Sequence, residues 1–288
     1  MTPLIQCVPN FSEGRRPEVI SAIVEAVRDT PGVRLADWSA DPDHHRMVVT
    51  FLGPPGPVRD AARAAAAAAI RTIDISAHWG VHPRLGAMDV LPFVPIRGIS
   101  LAECAALAVA VGRELAADYH LPVYLYESAT PHHRTLPNVR KDAFHRLPPD
   151  FGPPAPHPTA GAVVVGARGP LIAYNVNLAT HDIRIAREIA REVRAGAGAM
   201  GLRGVRALGL ALHSRRLTQV SMNVTRPAET SLLSLFTYID RRARDLGTEA
   251  VESEVIGALP GASAFGVLLD ALRVNLKPGQ VLLENWPE

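Results

Sequence analysis

The stretch Asp89-Val-Leu-Pro-Phe-Val-Pro95 returns in outline near the other end of the chain as Glu254-Val-Ile-Gly-Ala-Leu-Pro260. Each copy begins with an acidic residue and continues as a short apolar run that ends at proline, a pattern typical of a buried strand. The same order of predicted elements precedes both copies. The two copies therefore indicate that one folding unit is used twice.

That order is strand, helix, strand, strand, helix, strand. In the first half, strands are predicted at residues 4–9, 33–38, 47–52 and 89–96, and helices at 17–30 and 58–73. A further helix at 100–119 and a strand at 123–126 follow. In the second half, strands are predicted at 171–177, 204–213, 217–224 and 251–259, and helices at 181–194, 228–246 and 264–272.

A split βαβ (ferredoxin-like) unit used twice explains this order, each copy giving a sheet with helices packed on one face. We therefore predict an α/β (α+β) protein with two subdomains, residues 1–167 and 168–288. Residues 131–170 hold 9 of the 25 prolines, and we expect this stretch to connect the halves as a functional loop or a linker.

The composition of the 288 residues, 48% hydrophobic and 20% charged with a net charge of +2, is that of a globular protein of about two domains. No apolar run reaches the length of about 18 residues that a membrane helix needs, and the first residues do not look like a signal peptide. Two distant cysteines, Cys7 and Cys104, suit a reducing cytoplasm. The basic residues are interspersed with acids, which argues against nucleic-acid binding.

Histidine is the side chain whose ordinary pKa lies near neutrality, and His82 is the most informative of the 11 histidines. It lies in a loop rich in glycine and proline, directly before a predicted buried strand, and Arg84 follows two residues later. A loop residue held by a rigid scaffold is a common catalytic arrangement. On spacing alone, a surface histidine in a tight turn is the alternative.

Other chemistries find less support in the sequence. His78 and His82 are four residues apart, and His44-His45 and His132-His133 form pairs, which leaves a metal site open as a second interpretation. No zinc-protease, phosphate-loop or nucleophile-elbow motif occurs. Cys7 lies inside a predicted strand, so we expect a buried side chain rather than a nucleophile.

Asn10 and Asn177 occupy corresponding places, each at the end of the first strand of its half. Strand ends commonly line ligand sites in layered α/β folds. A helix cap or an Asx-turn explains the same residues equally well. Both interpretations stay open at this point.

Five further motifs lie along the chain: Cys7-Val-Pro-Asn-Phe-Ser-Glu-Gly14, the segment from Asp74 to Phe93 with His82-Pro-Arg-Leu-Gly-Ala-Met-Asp89, Pro122-Val-Tyr-Leu-Tyr126, Leu171-Ile-Ala-Tyr-Asn-Val-Asn177 and Leu217-Thr-Gln-Val-Ser-Met-Asn223. Together they resemble the formiminotransferase domain. The resemblance covers nearly the whole chain, without a fused cyclodeaminase domain.

The resemblance implies a homodimer that transfers a formimino, or formyl, group from N-formimino-L-glutamate to N5 of tetrahydrofolate, a co-substrate. It makes His82 the catalytic acid and base, and it implies no metal, nucleic acid or membrane partner. Arg46 and Arg84 are expected to bind carboxylates. The remaining candidate substrate- and folate-binding residues are Asn10, Tyr126, Gly152, Pro153, Pro154, Ala155, Pro156, His157, Pro158, Thr159, Ala160, Gly161, Asn177 and Glu254.

Three positions depart from the pattern of the animal enzymes, where aspartate stands for Ser39, lysine for Trp79 and glutamate for Val81. The proline-rich segment 152–161 also lacks the family's serines and aromatics. A folate-binding protein with lost or altered activity is therefore the alternative function. Asp41 and Asp43 are the candidates to replace the missing carboxylate.

Overall fold

The computed structural model describes residues 2–78, 83–194, 203–227 and 229–258. The chain divides between residues 169 and 170 into two compact units, which are described separately. Among the described residues, no helix is both long and apolar enough to cross a membrane.

The first unit contains seven strands and four α-helices. In chain order they are β1 (Leu4–Cys7), β2 (Asn10–Phe11), α1 (Pro17–Arg28), β3 (Arg34–Asp41), β4 (Arg46–Gly53), α2 (Pro55–Thr72), β5 (Met88–Arg97), α3 (Leu101–Tyr119), β6 (Val123–Glu127), α4 (Leu136–Asp142) and β7 (Val163–Ala167).

These strands form one sheet in which β1 and β2 lie side by side with both β4 and β5, all antiparallel. Strand β3 extends the sheet beyond β4. On the other side, β7 and then β6 are added in parallel to β5. If β1 and β2 are counted as one interrupted strand, the strand order is β3-β4-β1/β2-β5, which is that of a split βαβ unit. Strands β7 and β6 extend this sheet beyond β5.

The main core of this unit lies between the sheet and helices α1, α2 and α3. Met47, Val49 and Phe51 point into it from β4, so the alternate side chains, including Arg46, face the opposite side of the sheet. Six alanines of α2 are buried and let that helix contact both α1 and β1 closely.

The second unit contains β8 (Ile172–Leu178), α5 (Ile183–Val193), β9 (Val205–Leu212), β10 (Leu217–Val224), α6 (Leu232–Asp245) and β11 (Ala250–Ile256). Its sheet is antiparallel throughout, with the order β11-β8-β10-β9. This is the order of β5, β1, β4 and β3 in the first unit. The repeated ferredoxin-like unit predicted from the sequence is confirmed, whereas the helix predicted at 264–272 lies outside the described residues.

The repeated stretch that revealed the unit is not equivalent position by position. Asp89 is the second residue of β5, whereas Glu254 lies near the end of β11. In the second unit, Glu252 is the residue paired directly with Asn177 of β8. In the first unit Asn10 pairs with Val90, so Val90 is the counterpart of Glu252. Matching Asp89 with Glu254 by sequence therefore shifted the second strand by three residues.

The prediction that residues 131–170 connect the halves is wrong. Helix α4 and strand β7 belong to the first unit, and β7 is buried along its whole length between β5 and β6. Helix α4 packs on the sheet face opposite α1 to α3, over a small cluster that includes Val90, Tyr124 and Val164. Strand β7 was missed because a parallel strand buried on both faces shows no alternating pattern of apolar and polar residues. The prolines around it then favoured the interpretation as a connection.

Candidate functional site

The predicted catalytic residue, His82, lies outside the described residues, together with Trp79 and Val81. Both flanks of its loop are described. A short turn at Ile75–Ala77 precedes it, and the Asp74 carboxylate accepts a hydrogen bond from the Ser76 backbone N–H at 3.0 Å. Strand β5 follows it. The contacts of these flanks therefore identify the segments that lie beside the two ends of the loop.

The predicted folate segment, residues 152–161, is hydrogen-bonded to both flanks. The Ile75 N–H donates to the Thr159 carbonyl at 2.7 Å, and the Ala87 N–H donates to the Ala160 carbonyl at 2.9 Å. Its last five residues form a tight turn in which His157 and Gly161 exchange backbone hydrogen bonds of 2.8 and 3.0 Å. The structure thus brings the predicted folate segment together with both described flanks of the His82 loop.

Two glycines make this contact possible. A Cβ atom on Gly86 would lie 2.1 Å from the Ala162 carbonyl oxygen, and one on Gly161 would lie 2.3 Å from the Leu85 carbonyl oxygen. Gly161 also has a φ of +68°, which disfavours side chains other than hydrogen. The segment reaches the loop only because both positions lack a side chain.

A second cluster lies on the sheet face opposite α1 to α3 and centres on Asp89, which is fully buried. One Asp89 oxygen, Oδ2, accepts hydrogen bonds from Arg46 at 2.7 Å and from Arg140 of α4 at 2.5 Å. The other, Oδ1, accepts one from the Leu85 N–H at 2.7 Å. Arg46 also donates to the Asn10 side-chain oxygen at 3.1 Å.

The charges in this cluster affect each other. Burial alone would raise the pKa of Asp89, but the guanidinium groups of Arg46 and Arg140 lower it to about 2. Burial lowers the pKa of Arg46, against the opposing effect of Asp89, and Arg140 lowers it further. The carboxylate is therefore charged at neutral pH and is shared by two cations.

Arg84 contacts backbone carbonyls and a histidine ring. Its two terminal nitrogens donate to the backbone carbonyls of His45 and His44 at 3.0 and 2.8 Å. Nη1 also lies 2.5 Å from Nδ1 of His78. Arg84 thus links the β3–β4 turn to the His82 loop, and its described contacts are those of a positioning residue.

Two neutral imidazoles lie beside Arg84. The rings of His45 and His78 have centroids 3.6 Å apart. Burial, with the Arg15 and Arg84 charges, lowers the pKa of His45 to about 4. Burial lowers the pKa of His78 to about 4 as well, and a second proton would also bring its charge close to the His45 ring and to the Arg84 guanidinium. Because Nδ1 of His45 accepts a hydrogen bond from the Gly14 N–H at 3.1 Å, that ring carries its proton on Nε2.

Ser39 lies on the same sheet face as Asn10, because it pairs with Val48 and Val48 in turn pairs with Asn10. The next residue on that face of β3 is Asp41, directly opposite Arg46. Its carboxylate accepts a hydrogen bond from the His44 N–H at 2.7 Å and lies 2.8 Å from the His44 ring. Asp41 therefore places a carboxylate one step along the face from Ser39.

Tyr126 is 3% exposed and lies in the cluster under α4. Burial raises the pKa of its hydroxyl, which bonds to Arg168. Its side chain packs with apolar neighbours and does not join the Asp89 cluster. Its burial leaves almost no surface to offer a ligand.

In the second unit, Asn177 joins a separate polar group. Its side-chain oxygen accepts a hydrogen bond from Gln219 at 2.9 Å, and its nitrogen donates to Glu252 at 3.2 Å. Gln219 also donates to Glu254 at 2.9 Å, and Arg215 pairs with Glu252. The structure thus brings Asn177 and Glu254 together through Gln219, on the sheet face opposite α5 and α6.

Sequence reasoning missed Arg140, His45 and Gln219 as members of these groups. Arg140 is 51 residues from Asp89, and nothing in a local pattern connects them. His45 carried a signal, since it forms a pair with His44. Among the described residues, no three or more histidine, cysteine or acidic side chains are grouped so as to hold a metal ion.

These features define a class: an α/β protein of two split βαβ units, with polar side chains clustered on the sheet face opposite α1 to α3 in the first unit and opposite α5 and α6 in the second. The formiminotransferase domain, N-terminal subdomain, matches residues 4–168, and the formiminotransferase domain matches residues 173–277. The chain therefore belongs to the formiminotransferase family.

Its curated relatives carry related names. A glutamate formimidoyltransferase of Streptococcus pyogenes is 40% identical over 96% of this chain and 95% of that protein. A glutamate formimidoyltransferase of Thermoplasma acidophilum is 37% identical over 94% of this chain and 93% of that protein. A formimidoyltransferase-cyclodeaminase of Mus musculus is 41% identical over 94% of this chain. The chain spans 52% of that longer protein.

Proposed function

We propose that this protein transfers the formimino group of N-formimino-L-glutamate to N5 of tetrahydrofolate. The observation that carries this proposal is the contact between the segment at 157–161 and both flanks of the His82 loop. That contact supports a site in which a folate would lie against the histidine. The two microbial relatives, similar over nearly their whole lengths, support the same reaction.

The reaction needs one acid–base group. Folate N5 attacks the formimino carbon, and the new carbon–nitrogen bond gives a tetrahedral intermediate. His82 removes the proton from N5 and returns it to the departing glutamate nitrogen, whose bond to the carbon breaks. A single imidazole with a pKa near neutrality serves as base and then as acid. The balance of atoms requires no metal and no covalent bond to the protein.

The described residues supply binding and orientation. The donor carries two carboxylates, and the cluster of Arg46 and Arg140 offers more positive charge than Asp89 neutralises. Asn10 orients Arg46 through the hydrogen bond to its Nε. Arg84 contributes indirectly, since it connects the His82 loop to the β3–β4 turn. We assign substrate binding to Arg46 and positioning to Arg84.

A turnover assay on wild type and His82→Ala tests this proposal. The wild type should consume formimino-glutamate only when tetrahydrofolate is present, and His82→Ala should lose at least about 100-fold in kcat, the usual contribution of general acid–base catalysis. Folate affinity, measured by calorimetry, should change little. Absence of both turnover and folate binding in the wild type would refute the proposal.

The alternative is a formiminotransferase-like protein that binds folate without this chemistry, and the replacement of aspartate by Ser39 favours it. Asp41 on the same face argues that a carboxylate is still supplied. The variant Ser39→Asp distinguishes an active transferase from a folate-binding protein without this chemistry. If it creates turnover in an inactive wild type, the alternative is correct. If the wild type is active and Asp41→Asn lowers its kcat, Asp41 has taken over that position.

We further propose a homodimer that works in the cytoplasm with no metal. Light scattering of the purified 30.9 kDa chain should give about twice that mass. Dialysis against a chelator should leave turnover unchanged. A monomer at assay concentrations, or activity restored by one metal ion, would contradict the corresponding part.

A further inference from the structure

The Asp89 cluster contains two guanidinium groups and a single carboxylate, so it carries one positive charge in excess. Arg46 and Arg140 both bind Asp89 Oδ2, while Oδ1 is occupied by the Leu85 N–H. Asn10 provides one more acceptor, for Arg46. The arginine side chains are only 11% and 17% exposed. A charge so far removed from water is costly unless it is paired.

Arg140 is the less satisfied of the two. It uses Nη2 for Asp89, and its Nε is buried with no hydrogen-bond partner in the part of the chain that the structure describes. A guanidinium offers five N–H groups in a planar fork that fits a carboxylate. Arg140 therefore has both the charge and the donors to hold an anion that the protein does not supply.

We propose that Arg140, with Arg46, binds a carboxylate of the formimino donor and so determines which amino acid carries the group. This inference rests on the proposed formimino transfer. Arg140 lies outside every motif that carried the family resemblance, and it reaches the site from α4. Its role is to recognise the substrate, whereas His82 moves protons.

The chain length favours the donor over folate as the bound anion. Asp89 Oδ1 binds Leu85, three residues after His82, so the backbone keeps Leu85 within about 11 Å of the histidine. In N-formimino-L-glutamate, the carbon that bears the reacting nitrogen also bears a carboxylate. In tetrahydrofolate, the carboxylates lie at the end of the molecule farthest from N5. An anion site this close to His82 therefore suits the donor.

The test compares wild type with Arg140→Gln, Arg140→Lys and a control, Arg59→Gln, which breaks an ion pair between α2 and α3 in the same unit. Losing a hydrogen-bonded charge pair should raise the KM for formimino-glutamate at least 10-fold in Arg140→Gln. The KM for tetrahydrofolate and kcat should change less than twofold. Arg140→Lys, which keeps the charge, should lie between, and the control should behave as wild type.

A merely structural role predicts something different: equal changes in both KM values, or a lowered kcat, together with a lower Tm. Either result would overturn the proposal, as would unchanged kinetics. Calorimetry with L-glutamate, the product that keeps both carboxylates, gives a readout independent of turnover. If the wild type shows no turnover but binds L-glutamate at least fivefold more tightly than Arg140→Gln, the formimino transfer fails and the carboxylate site stands. Equal binding overturns the site.

Discussion

At the scale of single residues, Asp89 connects more of the candidate site than any other described side chain. It binds Arg46, Arg140 and the backbone of Leu85, so it joins β4, α4 and the end of the His82 loop. Asp89 belongs to the motif that begins at His82, but it was not among the residues predicted for the site. Neither was its partner Arg140, because their contact depends on how α4 folds back over the sheet.

Asp89→Asn should destabilise the first unit by about 3–5 kcal/mol, since it leaves two buried guanidinium groups without their carboxylate. The measurement is urea denaturation at pH 7. Asp118→Asn is the matched control, because Asp118 pairs with Arg63 on the surface and should cost at most about 1 kcal/mol. Equal losses in the two variants would contradict the central place of Asp89.

His45 and His78 predict a particular pH dependence. Their pKa values in the folded protein are about 4, below the unfolded value of about 6.5, so the unfolded chain binds more protons between these limits. Their stabilising effect is complete above pH 6.5 and is lost as the pH falls towards 4. His78→Gln should therefore lose less Tm than wild type between pH 7 and pH 5. An identical decrease in both proteins would show that His78 is not held neutral.

At the scale of elements, the pattern of hydrophobic residues was sufficient to predict the position of a strand or helix that has one exposed side. Helix α1 buries Val19, Ile23, Val24 and Val27 at helical spacing, and its position was predicted. Strand β7 is buried throughout and α4 is only seven residues long, so neither gives a periodic signal. Both follow from tertiary packing, which explains why the stretch that contains them looked like a linker.

The turn at 157–161 depends on Gly161, and this leads to a prediction. Gly161→Ala adds a Cβ that meets the Leu85 carbonyl and requires a φ near +68°, a conformation that costs about 1–2 kcal/mol for alanine. Folate affinity should fall at least about 10-fold as the segment moves away from the His82 loop. Calorimetry with tetrahydrofolate measures this.

Gly169→Ala is the control for that experiment, because a Cβ there meets nothing within 4 Å. It should bind folate as wild type does. If Gly161→Ala also binds normally, the contact between the two segments does not form the folate site, and the folate-binding part of the account would have to be abandoned.

At the scale of the whole molecule, the two units repeat one topology and differ in the polar side chains on the sheet face opposite α1 to α3 in the first unit and opposite α5 and α6 in the second. The first unit has Asn10 beside an aspartate shared by two arginines. The second has Asn177 beside Gln219, Glu252 and Glu254. Asn10 and Asn177 were candidate ligand-binding residues because they occupy matching positions in the sequence. In the structure, their side chains form hydrogen bonds with different groups.

The central claim is group transfer, and following the transferred carbon tests it most directly. N-formimino-L-glutamate labelled with carbon-13 at the formimino carbon is incubated with tetrahydrofolate and the purified protein, and the products are followed by NMR. The account predicts that the label appears on folate N5, with one glutamate released for each label moved, and that His82→Ala abolishes this. Label that stays on glutamate, or that leaves as a small free molecule, would contradict it.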